Sequence, residues 1–372
     1  MEEISTAVKI IWSCMIILTG TILLGCDNSH NSSIQIFRAN KERTGVFESS
    51  IIPNQPVLDW KFMSGNSIEA TPTISGDLLY IGSLDSCFYA LSAHTGEILW
   101  KFRTAGFVLS SACIADGIVY FGSRDRYVYA LDAKTGQEIW KFLTNGEVES
   151  SPLIYRNILY VGSKDSCLYA LDATNGELIW LYKTGGWIFS SPAVRNSFIY
   201  FGSLDGNIYC LEIGSGTERW RFKTQGGVFP TPSVTDEIVC IGSEDGLLYA
   251  IDSYTGVEKW RHQTGAMVFS SPAIINGNVF VGSMDSCMYS FDLASGKLLW
   301  KYKTADWIFS SPALDKNLLC FGCKDSILYA LDIKDGSLKW KFRTGGWIFS
   351  SPALANDKIY FGSKDGHLYA LK

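Results

Sequence analysis

Few side chains in this sequence are equipped for catalysis, and their spacing is informative. There are four histidines in 372 residues. His30 lies in a polar tail, His94 in a turn signal, His262 in a column that is otherwise aromatic, and His367 near the C-terminus. None has the short spacing of a metal site, and none joins a Ser and an Asp in triad logic. Cysteine is commoner, at ten. Cys87, Cys167 and Cys287 share one position in non-adjacent units of a repeat, which argues against bonding among them. Cys320 and Cys323 form a Cys-x-x-Cys on an expected strand. Three strand steps separate their Cα atoms by roughly 10 Å, and a disulfide needs less than about 7 Å. Buried free thiols are the expectation, and free thiols in an exported protein hint at a poorly oxidising environment. Asp85, Asp125, Asp165, Asp205, Asp245, Asp285, Asp325 and Asp365 recur every 40 residues. One Asp per unit at one turn reads as a turn device, and a catalytic site should break the repeat. With no nucleophile–base pair and no ligand cluster, a non-enzyme is expected.

What must position these residues is the repeat itself. Trp60, Trp100, Trp140, Trp180, Trp220, Trp260, Trp300 and Trp340 stand 40 residues apart with no insertion. A glycine column from Gly82 to Gly362 and a tyrosine column from Tyr89 to Tyr369 keep the same step. Each unit divides into four short runs, which in the second unit cover 107–114, 118–122, 127–132 and 138–143. Turn signals separate them, such as Ala115-Asp116-Gly117 and Ala133-Lys134-Thr135-Gly136. No stretch of the repeat keeps a 3.6-residue period. The spacing therefore predicts an all-β chain, an eight-bladed β-propeller of four-stranded antiparallel blades. The last unit stops at Lys372, after its third strand. The run ending Trp60-Lys61-Phe62 supplies the missing fourth, so an N-terminal strand completes the last blade and covers its edge.

The first residues read differently. Lys9 precedes an apolar run over 10–24, shorter than the roughly 20 residues of a membrane span and suited to a secretory leader. It ends Leu23-Leu24-Gly25-Cys26, which resembles the lipobox of bacterial lipoproteins. That resemblance implies a lipoprotein signal peptide over 1–25, cleavage before Cys26, and lipidation of its thiol. A tether would follow over 26–56, and the propeller over 57–372. The chain would be exported and lipid-anchored to a bacterial membrane, on its periplasmic or cell-surface face. A plain membrane anchor or an uncleaved signal is the other reading of the same run.

The unit Asp132-Ala133-Lys134-Thr135-Gly136-Gln137-Glu138-Ile139-Trp140 resembles the tryptophan-docking motif of the PQQ-like repeat β-propellers. The match runs over 57–372, and residues 37–45 look like the leading stretch of many such proteins. Gly136 suits positive φ in a tight turn, Asp132 can accept N–H groups across it, and Trp140 can pack a neighbouring blade. The eight tryptophans are thus the expected structural docking residues. Lys101, Arg103, Lys141, Lys183, Arg221 and Lys223 fall on or near outer strands, where cations discourage pairing with other chains. A basic ring for an acidic partner is the alternative. Quinoprotein dehydrogenases share the architecture and hold PQQ beside a disulfide of adjacent cysteines, with calcium. Here there is no Cys-Cys pair and no ligand maps onto the chain, so no cofactor or metal is expected, PQQ included. A formal net charge of −5 argues against a generic nucleic-acid binder. The chain also resembles the BamB-type lipoproteins, which implies a scaffold with a protein partner at the membrane, in outer-membrane protein assembly. A periplasmic ligand-binding or sensory propeller is the alternative, and a PQQ-dependent dehydrogenase the third.

One feature breaks the repeat. Trp187-Ile188-Phe189-Ser190-Ser191-Pro192-Ala193 recurs at 307–313 and 347–353. Other units carry Phe107, Phe229, Met267 and Phe269, and two place Glu69, Glu147 and Glu149 there. These positions are expected at one mouth of the central channel, with Arg124, Lys164, Glu244 and Lys364 nearby. Phe107, Glu147, Trp187, Met267, Trp307 and Trp347 form the candidate binding mouth. They read either as a recognition funnel with an acidic sector or as packing around the axis. The funnel requires Trp187, Trp307 and Trp347 to be partly exposed.

Overall fold

The computed structural model describes residues 34–47 and 50–372. The leader, Cys14, Cys26 and His30 lie outside the described residues. The described chain contains strands and no helix, in eight four-stranded antiparallel sheets. Blade 1 comprises Thr73–Ser75, Leu78–Ser83, Cys87–Ser92 and Ile98–Arg103, from axis to rim. Blades 2 to 7 repeat this order, ending with Leu338–Arg343. Blade 8 is built from Ala353–Ala355, Lys358–Gly362 and His367–Leu371, with Leu58–Met63 as its outer strand. There Trp60 pairs with Ala370 and Phe62 with Leu368, and Val57 and Lys372 exchange backbone hydrogen bonds of 2.9 and 3.0 Å. The ring thus closes between the two ends of the repeat region.

Burial explains the strand sequences. The two middle strands of a blade are covered on both faces by neighbouring blades, so Ile118–Gly122 and Tyr127–Asp132 are nearly continuous apolar runs. The outer strands are exposed and interleave charges, as in Glu138–Leu143. Phe88 and Phe121 stack at 3.9 Å between blades 1 and 2. The glycine column permits this closeness: a Cβ on Gly122 would lie 2.3 Å from a methyl of Val148 in the next blade.

The innermost strands are shorter than the spacing suggested. In blade 2 only Cys113–Ala115 joins the ladder, and 107–112 does not. Those residues bond elsewhere instead: the Val108 N–H donates to Ser83 of blade 1, and the Phe107 carbonyl accepts from Arg124, in the turn between the second and third strands of blade 2. Near the axis, bonds to the neighbouring blade and to that turn replace the ladder.

The repeated columns act as pins. Seven of the eight tryptophans on outer strands donate the Nε1–H to a carbonyl 33 residues on, in the turn of the next blade, as Trp100 does to Ala133 at 3.0 Å. Trp340 donates to the Pro53 carbonyl at 2.7 Å instead. Each Asp of the repeat accepts the hydroxyl of the Tyr four residues on, as Asp125 does from Tyr129 at 2.8 Å. Seven of the eight also tie down the loop that enters their blade, Asp125 through the Ala105 N–H. Burial pushes the Asp85, Asp205 and Asp365 carboxyls up, but these hydrogen bonds outweigh it and hold them below the ordinary range. The Asp column is therefore occupied by its own turn. Cys320 and Cys323 are buried free thiols, as are the other six described cysteines. His262 fills an aromatic position against Phe291, and burial lowers its pKa.

Candidate functional site: the axial chamber and its mouth

The loop entering each blade and the turn between its second and third strands meet on one face. Backbone bonds fix their pairing: Arg124 N–H to Phe107, Lys164 to Glu147, Leu204 to Trp187, Met284 to Met267, Lys324 to Trp307 and Lys364 to Trp347. The six residues of the candidate mouth and four cations are thereby set side by side around one opening. Trp187 is 50% exposed, Trp347 43% and Trp307 40%, with Met267 and Phe107 similar. These side chains are not core.

Two residues further along each inner strand, the layer below differs. Phe189, Phe229, Phe269, Phe309 and Phe349 from five consecutive blades touch in series, with centroid separations of 4.2, 5.1, 5.6 and 4.6 Å. They are half-buried and pack on one another. The other three blades supply Glu69, Leu109 and Glu149. The two readings of the aromatic positions thus apply to different layers: the phenylalanines pack around the axis, and the tryptophans above them meet solvent.

Electrostatics divides the mouth in the same way. Over the acidic sector, Glu149 lies 2.7 Å from both Arg124 and Lys164, Glu147 lies 2.6 Å from Lys164, and Glu69 lies 3.1 Å from Lys364. Over the aromatic arc, Lys324 sits 3.9 Å from the Trp307 ring centroid and 4.9 Å from that of Trp347, a cation between two indoles. Its nearest carboxylate, Asp306, is 3.8 Å away. Lys324 was not singled out from the sequence, although its column also holds Arg124, Lys164 and Lys364.

Below the phenylalanines a ring of hydroxyls closes. The backbone N–H of Thr71 donates to the Ser111 hydroxyl, that of Ser111 to Ser151, and so on through Ser191, Thr231, Ser271, Ser311 and Ser351 back to Thr71, at 2.9–3.2 Å. The signal was present, as a Ser/Thr column of period 40. The chamber bounded by these layers has a volume of about 170 Å³, and Phe37 lines it from the leading segment.

That leading segment occupies the opposite end of the channel. Residues 35–47 run past the innermost strands of five blades and bond to Ile114, Val194, Val234, Ile274 and Leu314 through backbone groups. Arg38 and Arg43 are buried beneath it. The Arg43 guanidinium donates to the carbonyls of Phe37, Pro192 (3.0 Å), Ser151 (3.3 Å) and Pro152 (3.1 Å). That of Arg38 donates to Arg43 (2.9 Å), Ser271 (3.0 Å) and Pro272. Burial lowers both guanidinium pKa values to about 9, so both stay charged at neutral pH. The sequence marks residues 37–45 only as a leading stretch and carries no sign of their partners.

The donor set does not fit a quinone with its calcium ion. The carboxylates that face the chamber, Glu69 and Glu149, are each engaged by a cation, and no two cysteines are adjacent. Among the described residues no group of three or more His, Cys, Asp or Glu is placed to hold a metal ion.

Comparison with known proteins bears on the whole ring. A family model described as the β-propeller of the beta-alanine-activating enzyme matches residues 130–346. A second, described as outer membrane protein assembly factor BamB, matches 57–186. No curated protein matches the sequence. Among solved structures, BamB from Moraxella catarrhalis is 19% identical with a TM-score of 0.75, covering 86% of this chain and 100% of that one. A quinohemoprotein alcohol dehydrogenase from Comamonas testosteroni is 13% identical with a TM-score of 0.78, covering 90% and 80%. A europium-containing methanol dehydrogenase is 14% identical with a TM-score of 0.75, covering 91% and 98%. At these identities the structural likeness establishes the fold alone. The first family model spans more than half of the chain, and this protein belongs to that family, among the PQQ-like repeat β-propellers.

Proposed function

We propose that this chain is a non-catalytic binding scaffold of the BamB type, held at a bacterial membrane on its extracytoplasmic side through Cys26. It docks a protein partner of outer-membrane protein assembly at the axial mouth. One observation carries the reading: on the exposed axial face, equivalent positions of the eight units differ in chemistry and three of them present half-exposed tryptophans. There Phe107, Glu147, Trp187, Met267, Trp307 and Trp347 occupy one column. Solvent-exposed aromatics beside a paired-charge sector suit the centre and rim of a protein interface. The family match over 57–186 supports the class of partner.

The test is crosslinking in native membranes with the full-length chain, followed by identification of the captured proteins. A β-barrel assembly component is the expected capture. Recovery of none from a lipidated protein would overturn the assembly role. The chamber favours a second reading, a small ligand seated between the phenylalanine arc and the hydroxyl ring. A native mass spectrum carrying an extra small-molecule mass would support it.

A further inference from the structure

The rim of the propeller carries eight outer strands whose far edges are unpaired. Such edges invite pairing with other chains, and a cation in the middle of the strand is a common guard. Seven of the eight have one at the same place, such as Lys101, Arg221 and Lys341. These lie over the cross-strand tyrosine, with Lys101 5.0 Å from the Tyr89 ring and Lys341 5.0 Å from Tyr329. In blade 3 the position is Leu181, opposite Tyr169. Its neighbours on the strand Leu178–Lys183 are apolar too: Leu178, Ile179 and Leu181 are 45%, 46% and 48% exposed. Blades 1 and 6 expose the same apolar pair, as Ile98 with Leu99 and Leu298 with Leu299, so Leu181 is what sets blade 3 apart: one edge of eight has lost its guard.

The flanking charges indicate what covers it. Glu177 and Lys183 bracket the apolar stretch, and both are exposed. Set antiparallel against a second copy about Trp180, this segment places Glu177 opposite the other copy's Lys183, twice over. Leu178 then faces Tyr182, and Ile179 faces Leu181. Opposite charges and apolar pairs across strands are stabilising. The same geometry on blade 6 would set Lys297 against Lys303. Every blade has a bulge at the start of its outer strand, between Trp180 and Leu178 here, so the match is one of side-chain apposition around Trp180 rather than a full ladder.

We infer that the outer edge of blade 3 is a twofold interface between two copies of this chain, made by antiparallel apposition of residues 177–183. The contact is small beside a standard interface of roughly 1,200–2,000 Å², so the dimer dissociates on dilution.

Sedimentation of the detergent-solubilised full-length chain over a concentration series tests this. The wild type should pass from monomer to dimer. Leu181→Lys, which restores the cation of the other seven blades, should raise the dimer dissociation constant by about tenfold or more, through two symmetric contacts. Its thermal melt should match the wild type. Glu177→Lys should also weaken the dimer, and Glu177→Lys with Lys183→Glu should restore it, because only a twofold contact pairs each residue with the other. A wild type that stays monomeric at every concentration would overturn the inference. So would an unchanged Leu181→Lys dimer, a double variant that fails to recover, or a strand-forming peptide that binds this edge of a monomer.

Discussion

The two ends of the central channel are made by the same eight repeats and are treated in opposite ways. At one end, equivalent positions differ between blades and stand 40–50% exposed at the three tryptophans. At the other, a single leading segment lies across the inner strands of five blades, with two buried guanidinium groups beneath it. Repeats set the frame at both ends. At the mouth, substitutions within the repeat create difference; at the closed end, a non-repeating segment does. It follows that changes at the closed end should act on stability and changes at the mouth on binding.

The largest expected effect is at the closed end. Arg43→Ala leaves the carbonyls of Phe37, Pro192, Ser151 and Pro152 without their donor. A stability loss of about 3 kcal/mol is expected in urea unfolding, from several unmet buried acceptors. A loss below about 0.5 kcal/mol would erase the contrast between the ends.

Acid should act on the frame common to both. The Asp85, Asp205 and Asp365 carboxyls sit below their ordinary range in the folded chain. Near pH 4 the unfolded chain therefore binds more protons, and stability falls as pH falls. Their contribution is whole above about pH 5 and is lost as pH drops through the folded values. Urea midpoints measured between pH 7 and pH 3 check the sign.

A smaller effect is expected where the ring closes. Trp340→Phe removes one hydrogen bond to Pro53 while keeping a ring in place. It should cost about 1 kcal/mol, and proteolysis should then cut first near residues 50–57. The smallest effect on stability belongs to the mouth. Trp307→Ala should shift the unfolding midpoint by no more than about 0.5 kcal/mol, as at an exposed site, while reducing partner crosslinking.

Much of the fold could be read from spacing. Eight tryptophans at one interval fix the blade count, and Trp60-Lys61-Phe62 reveals the closure, because a missing strand leaves a motif fragment at the other terminus. The mouth was legible as a set of positions, since a column that varies stands out against columns that do not. Its layering was not: Phe189 and Trp187 are two residues apart in one motif, yet one packs and the other is exposed. Burial near an axis depends on how strands converge, which no local pattern encodes. The roles of Arg38 and Arg43 were invisible because most of their partners are backbone carbonyls more than 100 residues away, and backbone has no sequence.

The most direct test compares the two ends in one experiment. A photoreactive residue is placed at Trp307 in the mouth, or at Asn356, which lines a cavity of about 760 Å³ beside the leading segment. Each full-length variant is irradiated in native membranes and its crosslinked partners are identified. The expected result is capture of a β-barrel assembly component from position 307 and not from position 356. Capture from 356 alone, or from neither, would contradict a mouth that docks a partner.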